Sequence, residues 1–249
     1  WADFNNERID QWDKIGATLL SIPMAHEMIG FYTVADDSDG VLKVMRSYQY
    51  YAASRISDKV AKNKWDDKNQ LGGYVWHTTG SGKTLTSFKS AQLIASSKDA
   101  DKVVFLMDRI ELGTQSLKEY RAFADFDQDV QDTEDTCVLV SKLKSDDPAN
   151  TLIVTSIQKM SNIGKESNAL KQKDIEKMSS KRIVFIIDEC HRSTFGDMLL
   201  TIKETFPKAL FFGFTGTPIQ DENQKKMNTT TDIFGDELHR YSIADGIRD

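Results

Sequence analysis

Short, continuously apolar runs separated by helical patterns constrain this chain more than any single residue does. Tyr74–Trp76, Val103–Met107, Cys137–Val140, Leu152–Thr155, Ile183–Ile187 and Leu210–Phe214 are short and rich in β-branched or aromatic side chains, which predicts strands. A strand that is apolar at every position must be covered on both faces, the condition of a parallel sheet with helices above and below. Between the runs, Leu85, Phe88, Ala91 and Ile94 recur at successive i+3 positions and predict a helix over 85–95. The expected class is α/β, a mostly parallel sheet with helices on both faces, whose ligands bind at the carboxyl ends of the strands. Residues 5–22 place Ile9, Trp12, Ile15, Leu19 and Leu20 at helical spacing and predict an N-terminal amphipathic helix. The turn-rich DDSDG, Asp36 to Gly40, sets an expected boundary near residue 40.

Composition narrows the function classes. A formal charge of −6 gives no global reason to bind a polyanion, so any nucleic-acid contact must be local. No stretch approaches the about 18 uncharged apolar residues that cross a bilayer, so no membrane role is expected. Two cysteines, Cys137 and Cys190, make no disulfide framework and favour a reducing, cytoplasmic setting.

WHTTGSGKT, Trp76 to Thr84, lies between the first strand of this sheet and the helix over 85–95. Thr79, Gly80, Ser81 and Gly82 can wrap backbone N–H groups around phosphate oxygens, because glycine permits close approach and the next helix points its positive end at the same place. Lys83 would neutralise the phosphates and Thr84 would offer a hydroxyl to Mg²⁺. The strict consensus has glycine where His77 stands, and alone such a turn also fits a cap on a core helix. VFIIDECH, Val184 to His191, reads as an apolar strand ending in two carboxylates, which a parallel sheet would present beside that cradle. Asp188 suits Mg²⁺, and Glu189 suits orienting and deprotonating water.

These motifs carry a resemblance. Asp188-Glu189-Cys190-His191 is a DExH box, and Phe214 to Pro218 resembles the threonine motif of superfamily 2 helicases and translocases. Arg46-Ser47-Tyr48-Gln49 resembles the adenine-reading Q motif. WHTTGSGKT, MDRIELGTQ, TSIQKM, DECHRSTFGDM and FGFTGTPI, in that order over residues 41–249, resemble the R subunit of type I restriction endonucleases, whose members carry histidine at the position of His77.

The resemblance implies a RecA-like P-loop NTPase lobe at 41–219 that takes ATP and Mg²⁺, flanked by a remnant at 1–40 linking to a nuclease domain and by a 220–249 extension leading to a second lobe. It implies that Arg46 and Gln49 meet the base, that His191, Thr215 and Thr217 relay the state of the γ-phosphate, and that Arg109, Gln115, Thr155 and Gln158 touch double-stranded DNA. Implied partners are the methyltransferase and specificity subunits. Two other readings stay open at this point: another superfamily 2 helicase acting on RNA or damaged DNA, and a nucleotide-binding switch without turnover.

Overall fold

The computed structural model describes residues 1–36, 40–107, 136–165, 172–188, 195–218 and 229–248. Among them, a parallel sheet of 6 strands is formed by β3 (Gly73–His77), β4 (Lys102–Met107), β5 (Leu152–Ser156), β6 (Ile183–Ile187), β7 (Leu210–Thr215) and β8 (Glu237–Tyr241). Its order is β5-β4-β6-β7-β3-β8, and every pair in it is parallel.

The two faces explain the continuous apolar runs. Along β4, Val103, Phe105 and Met107 join a cluster with Phe88, Ala91 and Ile94 of α4 (Lys83–Ser97) and with Ala52 and Ile56 of α3 (Ser47–Ala61). Val104 and Leu106 point the other way, into a cluster with Leu139, Met160, Leu199 and Ile202. Those four come from α5 (Thr136–Lys144), α6 (Ile157–Lys165) and α8 (Phe195–Thr205); α7 (Gln172–Ser179) adds Met178 to the same side. Both faces are dry, so a strand gains nothing from alternating polar residues. Phe105, Phe185, Phe211 and Phe212 are core, and Trp76 is partly buried against the second cluster.

Three local expectations are corrected. Cys137–Val140 is helical, within α5. Leu139, Val140 and Leu143 turn inward while Val138 is exposed, and β4 pairs directly with β5, leaving no slot between them for another strand. Four apolar residues are too few to separate a period of two from one of 3.6. The helix expected over 5–22 is instead a short α1 (Trp12–Ala17), none of whose residues is buried, and a separate α2 (Ile22–Gly30) with Pro23 in its first turn. Proline fits a first helical turn but not an interior, so the break falls before it. β8 was not expected at all: in ELHRY only His239 and Tyr241 are buried, and the polar positions between conceal the strand.

On either side of the turn-rich DDSDG sequence, β1 (Thr33–Asp36) and β2 (Val41–Val44) form an antiparallel pair. Met28 and Tyr32 before that turn pack with Met45, Tyr50 and Ala53 after it. No helix among the described residues is long and apolar enough to cross a membrane.

Candidate nucleotide site

The cradle forms where β3 ends and α4 begins. Gly80 has φ +81° and Gly82 has φ +75°, left-handed values that side chains with a Cβ rarely adopt. At Gly82 the requirement is doubled, because a Cβ would lie 2.7 Å from Gln49 Nε2. Around Gly80 the space is open, with nothing within 4 Å of a Cβ position, so the loop leaves room on its outer side. Ser81 Oγ donates to Thr78 O at 2.6 Å, closing the turn, and Thr86 Oγ1 donates to Gly82 O at 3.1 Å, tying it to the helix. Lys83 opens the 15-residue α4, so the helix N-terminus and the ammonium stem share one place. Lys83 is buried, Thr84 is half-buried, and Thr79, Gly80 and Gly82 are exposed.

Gly216 shows what else reaches the loop. It follows β7, and a Cβ there would lie 3.3 Å from Thr79 Oγ1, 3.5 Å from His77 O and 3.6 Å from Lys83 Nζ. Glycine thus lets the FTGTP segment come against the cradle. Trp76 Nε1 donates to Gly216 O at 3.1 Å and fixes that approach. Thr215 is buried, and its Oγ1 accepts from the backbone N–H of exposed Thr217 at 3.0 Å.

On the other side of β7 runs β6, whose Ile187 pairs with Gly213; buried Asp188 follows it directly. β3 and β6 flank β7, so the cradle and Asp188 leave the same sheet edge two strand spacings apart, about 10 Å. Triphosphate and a hydrated divalent ion span such a gap, and the donor set, one lysine, one threonine hydroxyl and one carboxylate, has the right chemistry for both. Glu189, His191, Arg109 and Gln115 lie outside the described residues.

The remaining predicted residues divide. Gln49 braces the loop: its Oε1 accepts from Arg46 N at 2.9 Å, while Nε2 donates to Ser81 O at 3.2 Å and Gly82 O at 3.4 Å. Its amide faces loop backbone and is buried, so contact with a base requires one of these bonds to be exchanged; Arg46 beside it is exposed. Thr155 is fully buried at the end of β5 and presents no surface to DNA, whereas Gln158 on α6 is half-buried. Ser156 Oγ accepts from Lys159 N at 3.3 Å, an N-cap for that helix.

Sequence reasoning missed the aromatic bed beneath the cradle. Tyr48 donates its hydroxyl to Ser81 O at 2.9 Å and stacks on Tyr241 with centroids 3.8 Å apart. His77 meets Tyr48 edge-on at 5.4 Å, and His77 Nε2 lies 3.0 Å from His239 Nδ1. Burial, then the neighbouring His239 and Lys83, push His77 well below the usual imidazole range, and burial takes His239 down to about 4. Both rings are therefore neutral at pH 7. The buried alternation of His239 and Tyr241 in ELHRY was the available signal, and it is only two residues long.

The chain is similar to known proteins over most of its length. The family model for the SWI2/SNF2 ATPase matches residues 48–249. The chain is 42% identical over 251 residues to the type I restriction enzyme SsaAORF53P endonuclease subunit of Staphylococcus saprophyticus, covering 100% of this chain and 25% of that protein. It is 39% identical over 211 residues to the C-terminal part of the type I restriction enzyme MpnIIP endonuclease subunit of Mycoplasma pneumoniae, covering 83% of this chain and 99% of that one. Among solved structures, a nuclease-deletion mutant of the Type ISP restriction-modification enzyme LlaGI in complex with a DNA substrate mimic superposes with TM-score 0.59 at 20% identity, over 83% of this chain and 20% of that one. That likeness speaks for the fold alone.

Proposed function

Since the chain belongs to the SWI2/SNF2 ATPase family and to the endonuclease subunits of type I restriction enzymes, we propose that it is the first RecA-like lobe of an ATP-driven motor that pulls double-stranded DNA. The placement of Gly216 against Lys83 and Thr79 is the observation that carries this reading, because it brings the cradle and the threonine motif into one site.

In this reading ATP is the substrate and lies along Thr79 to Thr84, with Lys83 on its β- and γ-phosphates and backbone N–H groups of Gly80 to Gly82 around them. Thr84 and Asp188 would hold Mg²⁺, which supplies charge neutralisation between the phosphates when bound. Glu189 orients and deprotonates the attacking water. The base rests beside Arg46, with Gln49 bracing the loop behind it. His191, Thr215 and Thr217 sense the γ-phosphate; hydroxyls and an imidazole exchange partners when it leaves, and the exchange passes to the DNA side. Arg109, Gln115 and Gln158 touch the backbone of the duplex, which carries no sequence information and so suits a motor that steps along any DNA. Catalysis also needs an arginine from a second lobe, a contribution of several powers of ten in rate. The setting is cytoplasmic, and the partners are methyltransferase and specificity subunits. The lobe takes in residues 41–219 together with β8, which closes the sheet on the β3 side.

Lys83→Ala in the full-length protein tests the reading. The variant is expected to keep its circular dichroism spectrum and to lose DNA-stimulated ATP hydrolysis. Normal turnover would remove the cradle assignment, and stimulation of the wild type by RNA in preference to duplex DNA would replace the proposed track.

A further inference from the structure

The two buried histidines lie outside every role assigned above, yet their hydrogen bonds run from the cradle to the N-terminal residues. His239 Nε2 is 3.2 Å from Phe4 O. A carbonyl only accepts, so Nε2 of His239 carries the proton. A neutral ring then has a bare Nδ1, which accepts from His77 Nε2 at 3.0 Å. One tautomer of each ring satisfies the geometry: both are protonated on Nε2. His77 Nδ1 is left as a buried acceptor with no partner among the described residues.

Phe4 is well placed to hold this register. Residues 1–8 fold back on themselves through the Ala2–Arg8 bridge and Ile9 N donating to Trp1 O at 2.9 Å. Asn6 Nδ2 donates to Arg240 O at 2.8 Å, fastening the strap to β8. The Phe4 ring stands edge-on to His239 at 5.2 Å, with the Arg55 guanidinium 4.6 Å above it. At the other end of the relay, His77 is the last residue of β3, and its carbonyl is the atom 3.5 Å from the Cβ position of Gly216. Thr78 N donates to Tyr241 O at 2.9 Å, so β8 grips the loop by backbone as well as by side chain.

We propose that His239 is a positioning residue of the nucleotide site: it fixes one tautomer and one orientation of His77, and so ties the strand that delivers the phosphate loop to the Phe4 strap. His239 acts through His77 and touches no substrate. The inference rests on the cradle being the ATP site.

The test uses the full-length protein with His239→Phe, which keeps the packed ring and removes both hydrogen bonds, and His239→Asn, whose Oδ1 retains an acceptor for His77. Lys83→Ala serves as the control without a cradle. Binding of a fluorescent ATP analogue and the KM and kcat for ATP are measured alongside the ¹⁵N shifts of labelled imidazoles. His239→Phe is expected to weaken nucleotide binding and raise KM about tenfold, the size of one buried hydrogen bond left unmade, with kcat within about twofold. His239→Asn is expected within about threefold of wild type, and the two relay histidines of the wild type should both read as Nε2–H. Wild-type affinity in His239→Phe, equal losses in both variants, or an Nδ1–H ring in the pair would each overturn the proposal. Should His239→Phe fail to fold, His239→Asn and the tautomers decide. A wild-type protein that binds no nucleotide fails the ATP reading itself, a result that intact Nε2–H tautomers distinguish from a broken relay.

Discussion

The two ends of the sheet handle charge in opposite ways. At the amino end, where β4, β5 and β6 begin, a cavity of about 800 Å³ is lined by Lys98, Asp101, Lys102, Asp146, Lys181 and Arg182 among others. It holds many charges, and several of them close on partners within the protein. Arg182 reaches Asp101 through Nε at 3.1 Å and Nη2 at 2.7 Å, Lys181 reaches Asp146 at 2.6 Å, and the Lys102 ammonium donates to Asn150 O at 2.6 Å. At the carboxyl end, around the cradle, the notable features are two left-handed glycines, a helix N-terminus and a pair of uncharged histidines. The difference teaches that a roomy, charged cavity is not by that fact a site. Groups that close on each other stabilise the fold, whereas a glycine loop with open space on its outer side, set at a helix N-terminus, is arranged to receive something else.

This contrast can be broken by experiment. The largest effect is expected at Gly82. A Gly82→Ala side chain must occupy a left-handed backbone and displace Gln49 Nε2, so ATP affinity should fall by on the order of 30-fold in nucleotide titrations, from about 2 kcal/mol of strain. Affinity equal to wild type would mean that the loop conformation is dispensable.

The next effect is one of pH. His239 is held at about 4 in the fold against an ordinary 6.5, so the unfolded chain binds the extra proton between those values. Stability is fully present above pH 6.5 and is lost as pH falls toward 4. At pH 5 the loss from this ring is about 2 kcal/mol, an order-of-magnitude figure. Urea unfolding of wild type and His239→Phe at pH 5 and 7.5 checks it: the wild type should lose more than the variant between the two pH values, and equal losses would sink the idea.

The smallest effect belongs to the amino end. Arg182→Ala removes a half-exposed pair in which two guanidinium N–H groups share Asp101 Oδ1 and should cost about 1 kcal/mol, a fall of about 2–4 °C in melting temperature, with KM for ATP unchanged. A rise in KM would join the two ends that the comparison keeps apart.

The sequence by itself determined the sheet's interior and the cradle's chemistry. Burial on both faces leaves an unbroken apolar run, so β3 to β7 were legible from residues such as Val103–Met107 and Ile183–Ile187. Glycine before lysine at a strand-to-helix turn is equally local, since φ beyond +20° excludes most other residues. Only the tertiary structure decided that CVLV winds into α5, that ELHRY becomes the outer strand beside β3, and that Gln49 turns its amide to the loop backbone. Thr155 and the His77–His239 pair belong with these, because burial and a hydrogen bond across 162 positions depend on which elements meet. Local pattern reports what one segment needs from its surroundings, and the packed chain decides which neighbour supplies it.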